Sequence, residues 1–163
     1  MPNSLKHFEA IARALARLPA ATSEKPSVEA PQLHPFEMRN IHHALPVKVR
    51  KLFDDGYYAE ATYEAFKFLD KTVDRFAKLA ESGVKLMMAA FNENSPKLQL
   101  TPLMSISEKD EQQGYKFIFA GGVMAIRNPR GHEHSMRDDP DACLDHLSFV
   151  SMLLRRLEQS GYK

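Results

Sequence analysis

An all-α domain is the fold class this sequence predicts, and three observations carry the prediction. Apolar residues recur at steps of three and four over long stretches. Pro46, Gly56 and Gly83 fall at the ends of such stretches, and no alternating apolar–polar segment has a hairpin partner. The architecture expected is a compact helical bundle preceded by an N-terminal amphipathic helix on a linker.

Residues 3–18, NSLKHFEAIARALARL, place Leu5, Phe8, Ile11, Ala12, Leu15 and Leu18 on one helical face, with Asn3 or Ser4 as N-cap. This assigns 1–18 to an amphipathic helix. Residues 19–32, rich in Pro, Ser, Ala and Glu, have almost nothing to bury and read as a linker. The main domain is expected over 33–163. Within it PFEMRNIHHAL reads as a short helix ending before Pro46, and VKVRKLFDDG as another ending at Gly56. The strongest pattern runs from Tyr57 to about Ala80, where Tyr58, Ala61, Ala65, Leu69, Val73, Phe76 and Ala80 form one stripe that Gly83 closes. Residues 83–91 form a shorter apolar helix, and Asn92 to Leu100 a loop. A helix then starts near Ser107 and runs to Arg127, and YKFIFAGG, the one segment with β-propensity, falls inside it. The last helix, from about Asp139 to Glu158, carries Cys143, Leu147, Val150, Leu154 and Leu157 on one stripe, capped by Asp139 or Asp141.

Composition narrows the function classes. The chain has 163 residues, 44% of them apolar and 26% charged, long enough for a sizeable core. Its 22 basic and 21 acidic side chains give a formal net charge of +1, so any anionic ligand must be met by a local cluster. A single cysteine forbids a disulfide framework within the chain and multi-thiolate zinc sites, and Cys143 reads as a small buried hydrophobe. No apolar run reaches the length of a membrane span and no secretory h-region is evident, so a cytoplasmic setting is expected.

The chemically loaded stretch is AIRNPRGHEH, residues 125–134. Pro129 lacks an N–H and disfavours the α conformation at Asn128, which predicts a break or kink after Arg127. On an undisturbed helix Arg127 and His132 would point about 140° apart, and the break would let His132 fold back towards the guanidinium. A permanent charge fork beside a group that exchanges protons near neutral pH suits phosphodiester chemistry. The same residues also read as ordinary turn chemistry at a helix C-terminus, where cations suit the dipole.

The segments LHP, DGYYAEATYEAFKFLD, GVKLMMAAF, EKDEQQGYKFIFAGGVMAIRNPRGHEH and LSFVSMLLRRL, from about Leu33 to Leu157, resemble the Ymh-like family of prokaryotic proteins. Arg, a polar residue and then His at the end of a helix resemble, more broadly, the HEPN superfamily, many of whose members are metal-independent ribonucleases. The resemblance implies a HEPN-like helical domain with Arg127 on the scissile phosphate, Asn128 orienting the site and His132 as general base. The base would activate the ribose 2′-hydroxyl, leaving a 2′,3′-cyclic phosphate, with no metal and no cofactor. Arg130 and His134, which flank the motif, would hold RNA phosphates, or His134 would protonate the leaving group. The implied partners are RNA and a second copy forming a composite site at a homodimer interface, with an antitoxin or defence-system partner. The implied setting is prokaryotic defence or a toxin.

The alternative is a non-catalytic HEPN-like module that binds nucleotides or protein. Glu111 and Gln112 recur in the resemblance, and their role is open between function, capping and interhelical hydrogen bonding. His42 and His43, as neighbours on a helix, face different sides, and neither they nor His132 and His134 are expected to hold a metal. Tyr57, Tyr58 and the other aromatic residues of 57–68 lie at helical spacing and read mostly as core, with an RNA-stacking role for Tyr57 or Tyr58 as the less favoured alternative.

Overall fold

The stripe that begins at Tyr58 becomes the central helix of the molecule. The computed structural model describes residues 33–132 and 136–163, all within the unit 33–163. The N-terminal helix and linker expected over 1–32 lie outside the described residues, as does His134. The elements are α1 (Pro35–Met38), α2 (Val47–Asp54), α3 (Tyr58–Ala77), α4 (Gly83–Ala90), α5 (Ile106–Gly122), a π turn (Val123–Arg127), α6 (Asn128–His132) and α7 (Pro140–Gln159). Among the described residues there is no strand, and YKFIFAGG lies within α5. The all-α reading holds. No helix among these residues is long and apolar enough to cross a membrane.

Helix α3 packs against α2, α4 and α7, and its small residues decide how closely. Ala61 and Ala65 are fully buried beside Phe66, Leu69 and Val73. From α7, Cys143, Leu147, Val150, Leu154 and Leu157 supply the facing stripe. Each large apolar side chain so buried contributes about 1.5–3 kcal/mol relative to exposure. Phe91 and Phe119 stack with centroids 4.3 Å apart, joining the end of α4 to α5. Gly122 lies where a Cβ would come within 2.6 Å of the Phe149 ring and 3.2 Å of Phe66. Its missing side chain is what lets α5 meet α3 and α7 there.

Several boundaries differ from expectation, each for a local reason. Helix α3 stops at Ala77 because Lys78 turns left-handed at φ 52° and donates its N–H to the Asp74 carbonyl. Gly83, expected to close that helix, instead opens α4 at φ +60°, with its N–H on Asp70 Oδ1 at 2.8 Å. Helix α1 is one turn only, since Asn40 takes φ 48°. The following residues are not helical, so His42 and His43 stack at 4.7 Å rather than facing opposite sides of a helix. His42 is buried, its Nε2 3.1 Å from Glu158 and its backbone N–H on Ser151 Oγ. Helix α5 begins one residue earlier than Ser107, behind a Ser105/Glu108 capping box.

Gln112 settles into the interhelical role that the sequence left open. Its side chain is fully buried, accepts from the Leu100 N–H and donates to the Phe91 and Leu98 carbonyls. Glu111 pairs with Arg156 at 2.7 Å.

Candidate active site around Arg127

Pro129 does not break the helix. The chain passes from α5 through the π turn into α6, with the Asn128 N–H bonded to the Val123 carbonyl five residues back. The expected kink is therefore corrected: widening by one residue absorbs the proline, whose ring would clash with the carbonyl four residues earlier in a regular α-helix. Asn128 keeps helical torsions, φ −62° and ψ −45°, although it precedes a proline.

The π turn aims Arg127 inward. Its guanidinium carbon sits 5.3 Å from the centroid of the Tyr63 ring on α3, a cation–π contact. Nη1 donates to Asn128 Oδ1 at 3.2 Å. A Cβ on Gly83 would stand 3.8 Å from the same Nη1, so the start of α4 forms another wall. The Arg127 Nε is buried with no hydrogen-bond partner among the described residues. An unpaired buried donor costs about 1–3 kcal/mol.

Tyr63 also receives Gly131, where a Cβ would come within 2.8 Å of the ring. One tyrosine thus registers two positions of the motif, and the glycine is required by close approach rather than by a turn. His132 follows on the last residue of α6 with an exposed side chain. No hydrogen bond joins it to Arg127 among the described residues, and the helical path between them replaces the fold-back the sequence suggested.

Arg130 is committed elsewhere than expected. Its Nε and Nη2 each donate to an Asp138 carboxylate oxygen at 2.6 Å, and Nη1 donates to the Ile126 carbonyl at 2.7 Å. Both side chains of the pair are 8% exposed. Arg130 therefore braces the motif against the approach to α7 instead of standing open to RNA phosphate. His146 Nδ1 lies 3.9 Å from Asp138. Burial, then the Arg130 charge, hold the His146 imidazole below its usual pKa, against the opposing pull of Asp138. Burial also pushes the Cys143 thiol up to about 11, with the Thr62 hydroxyl 3.6 Å from its sulfur, so it is no thiolate nucleophile.

Arg127, Asn128 and His132 thus share one continuous helical run, while Tyr63, Gly83 and Asp138 were not singled out from sequence for this site. Tyr63 lies off the apolar stripe of its helix, and Asp138 precedes the residue read as the cap of the last helix. Among the described residues no three His, Cys, Asp or Glu side chains are grouped to hold a metal ion.

A family model described as "Protein of unknown function (Hypoth_ymh)" matches residues 39–157, a span that includes the whole Arg127–His132 segment. No curated protein and no solved structure matches the chain.

Proposed function

The chain belongs to the Hypoth_ymh family, and we propose that it is a HEPN-like, metal-independent endoribonuclease. Arg127 binds the scissile phosphate, Asn128 orients the site and His132 is the general base. The observation that carries this reading is the Arg127 guanidinium, held on the Tyr63 ring and bonded to the Asn128 side chain within the motif. His132 takes the proton of a ribose 2′-hydroxyl, whose oxygen attacks the adjacent phosphorus. The bond from phosphorus to the 5′ oxygen breaks, and that oxygen takes up a proton. The products are a 2′,3′-cyclic phosphate and a 5′-hydroxyl end. Arg127 stabilises the charge that builds on the phosphoryl oxygens.

Five residues at about 100° each set Arg127 and His132 roughly 140° apart on the helix. We infer that a second copy completes the site. Exposed apolar side chains on the same helical run support this: Phe117, Ile118 and Met124 are 54%, 40% and 58% exposed on α5 and the π turn. An RNA-cutting activity of this kind fits prokaryotic defence or a toxin in the cytoplasm, restrained by a partner protein.

Cleavage of RNA in the presence of EDTA tests the reading. Wild type is expected to cut, while Arg127→Ala and His132→Ala keep wild-type circular dichroism and lose cleavage at least about a hundredfold. Equal cleavage by all three, or none by any, overturns it. The same exposed apolar surface favours a second reading, a non-catalytic binding module, which RNA binding without cleavage by wild type would select.

A further inference from the structure

We propose that the cleft between the start of α3 and residues 136–138 is a nucleotide subsite that selects a base presenting two adjacent N–H donors, guanine foremost. The cleft has a volume of about 460 Å³, within the range of sites for a small ligand. Its lining combines three features: an exposed aromatic ring (Tyr57), a carboxylate (Glu60) and a cation (Arg137).

Tyr57 is built as a platform. Gly56, at φ +81°, turns the chain into the helix, and the Tyr57 N–H is anchored on the Leu52 carbonyl at 2.8 Å. The neighbouring Tyr58 ring packs on Phe53 at 5.2 Å, whereas Tyr57 stays 55% exposed. An exposed ring on a fixed backbone is the element that stacks a nucleobase, and stacking by itself accepts any base. Selection comes from Glu60, three residues on and hence on the same side of the helix. A carboxylate only accepts hydrogen bonds. Of the four RNA bases, guanine alone offers it two adjacent donors on its pairing edge. Adenine and cytosine set an acceptor beside their amino group, and uracil flanks its N–H with two carbonyls.

The opposite wall supplies the charge for a phosphate. Asp138 also lines the cleft, but its carboxylate is neutralised by the bidentate Arg130 pair. Arg137 is the cation of this lining. Because Arg130 also holds the Ile126 carbonyl, this wall and the Arg127 motif are tied together. Tyr63 lies six residues on from Tyr57, about 9 Å along the helix axis and about 120° round it, and touches both Arg127 and Gly131. We place a base in the cleft and a phosphate at Arg127 on one bound RNA strand. Only that last placement rests on the ribonuclease reading; the cleft's preference does not.

Titration of the full chain with GMP, AMP, CMP, UMP and inorganic phosphate, followed by backbone NMR shifts, tests the proposal. GMP is expected to bind tightest and to shift Tyr57, Glu60 and Arg137. Tyr57→Ala should weaken GMP about tenfold, within the range for one lost stacking partner. Glu60→Gln should bring GMP and AMP to similar affinity, and Arg137→Ala should narrow the gap between GMP and guanosine. Equal binding of the four nucleotides, no binding of GMP, or shifts confined elsewhere overturns the proposal, as does GMP affinity unchanged in Tyr57→Ala and Glu60→Gln. Binding as strong for phosphate alone as for GMP assigns the cleft to simple anions and overturns it too. A chain that binds GMP here but cuts no RNA keeps this subsite and overturns the ribonuclease reading.

Discussion

Asp138→Asn removes the charge from one side of the Arg130 pair and leaves a buried guanidinium without its counterion. Stranding one partner of a buried pair costs about 3–5 kcal/mol, so denaturant unfolding should show a loss of that order. An unchanged midpoint would mean that Arg130 finds another acceptor. A second consequence concerns pH. Because the folded protein holds His146 below its usual pKa of 6.5, the unfolded chain binds a proton there more readily. Stability should therefore fall as pH falls from about 6.5 through the lower folded value, with no His146 slope above about 6.5. His146→Gln should flatten that part of the pH–stability curve; the same slope in both proteins would assign it to other groups. Arg127, Asn128 and His132 were read as a group because charged and proton-exchanging residues crowd one short stretch, and the structure places them along one helical run. Tyr63 and Asp138 were not, because what gives them a role is who stands opposite, a fact carried by tertiary packing rather than by spacing.

Helix α7 was readable almost residue by residue, and α3 as far as Ala77, because a stripe at steps of three and four has one way to be buried; Ala80, read into that stripe, lies exposed beyond the helix end. The run from Gly121 to His132 was misread for an equally physical reason. Pro129 forbids a regular α-helix at that point, and a break and a π turn both satisfy the prohibition. Sequence alone left that choice undetermined, whereas the packing of Gly131 on Tyr63 and of Gly122 between Phe149 and Phe66 matches the continuous path. Gly122→Ala should accordingly destabilise by about 1–3 kcal/mol, since aromatic rings on two neighbouring helices must yield. A thermal midpoint at the wild-type value would show that the rings have room. Gln112 works on the same scale, tying α5 to the end of α4 and the loop after it. Gln112→Leu strands the Leu100 N–H and two carbonyls, and a loss of about 2–4 kcal/mol is expected in denaturant unfolding.

For the molecule as a whole, a nearly neutral chain must assemble its anion-binding charge locally, and the proposed dimer does so by bringing two Arg127 side chains to one cleft. Sedimentation should find wild type as a dimer at micromolar concentration and a Phe117→Asp, Met124→Glu double variant as a folded monomer without RNA cleavage. A wild type that stays monomeric while cutting RNA would confine the site to one protomer. The central claim is that a ribose 2′-hydroxyl is the nucleophile at the Arg127–His132 site. Its most direct test is an RNA cut at a mapped position, compared in EDTA with the same strand carrying a single 2′-deoxy nucleotide 5′ of the scissile phosphate. The all-ribose strand should yield 2′,3′-cyclic phosphate ends and the substituted strand should stay intact at that bond; cleavage of both, or 3′-hydroxyl ends, would contradict the account.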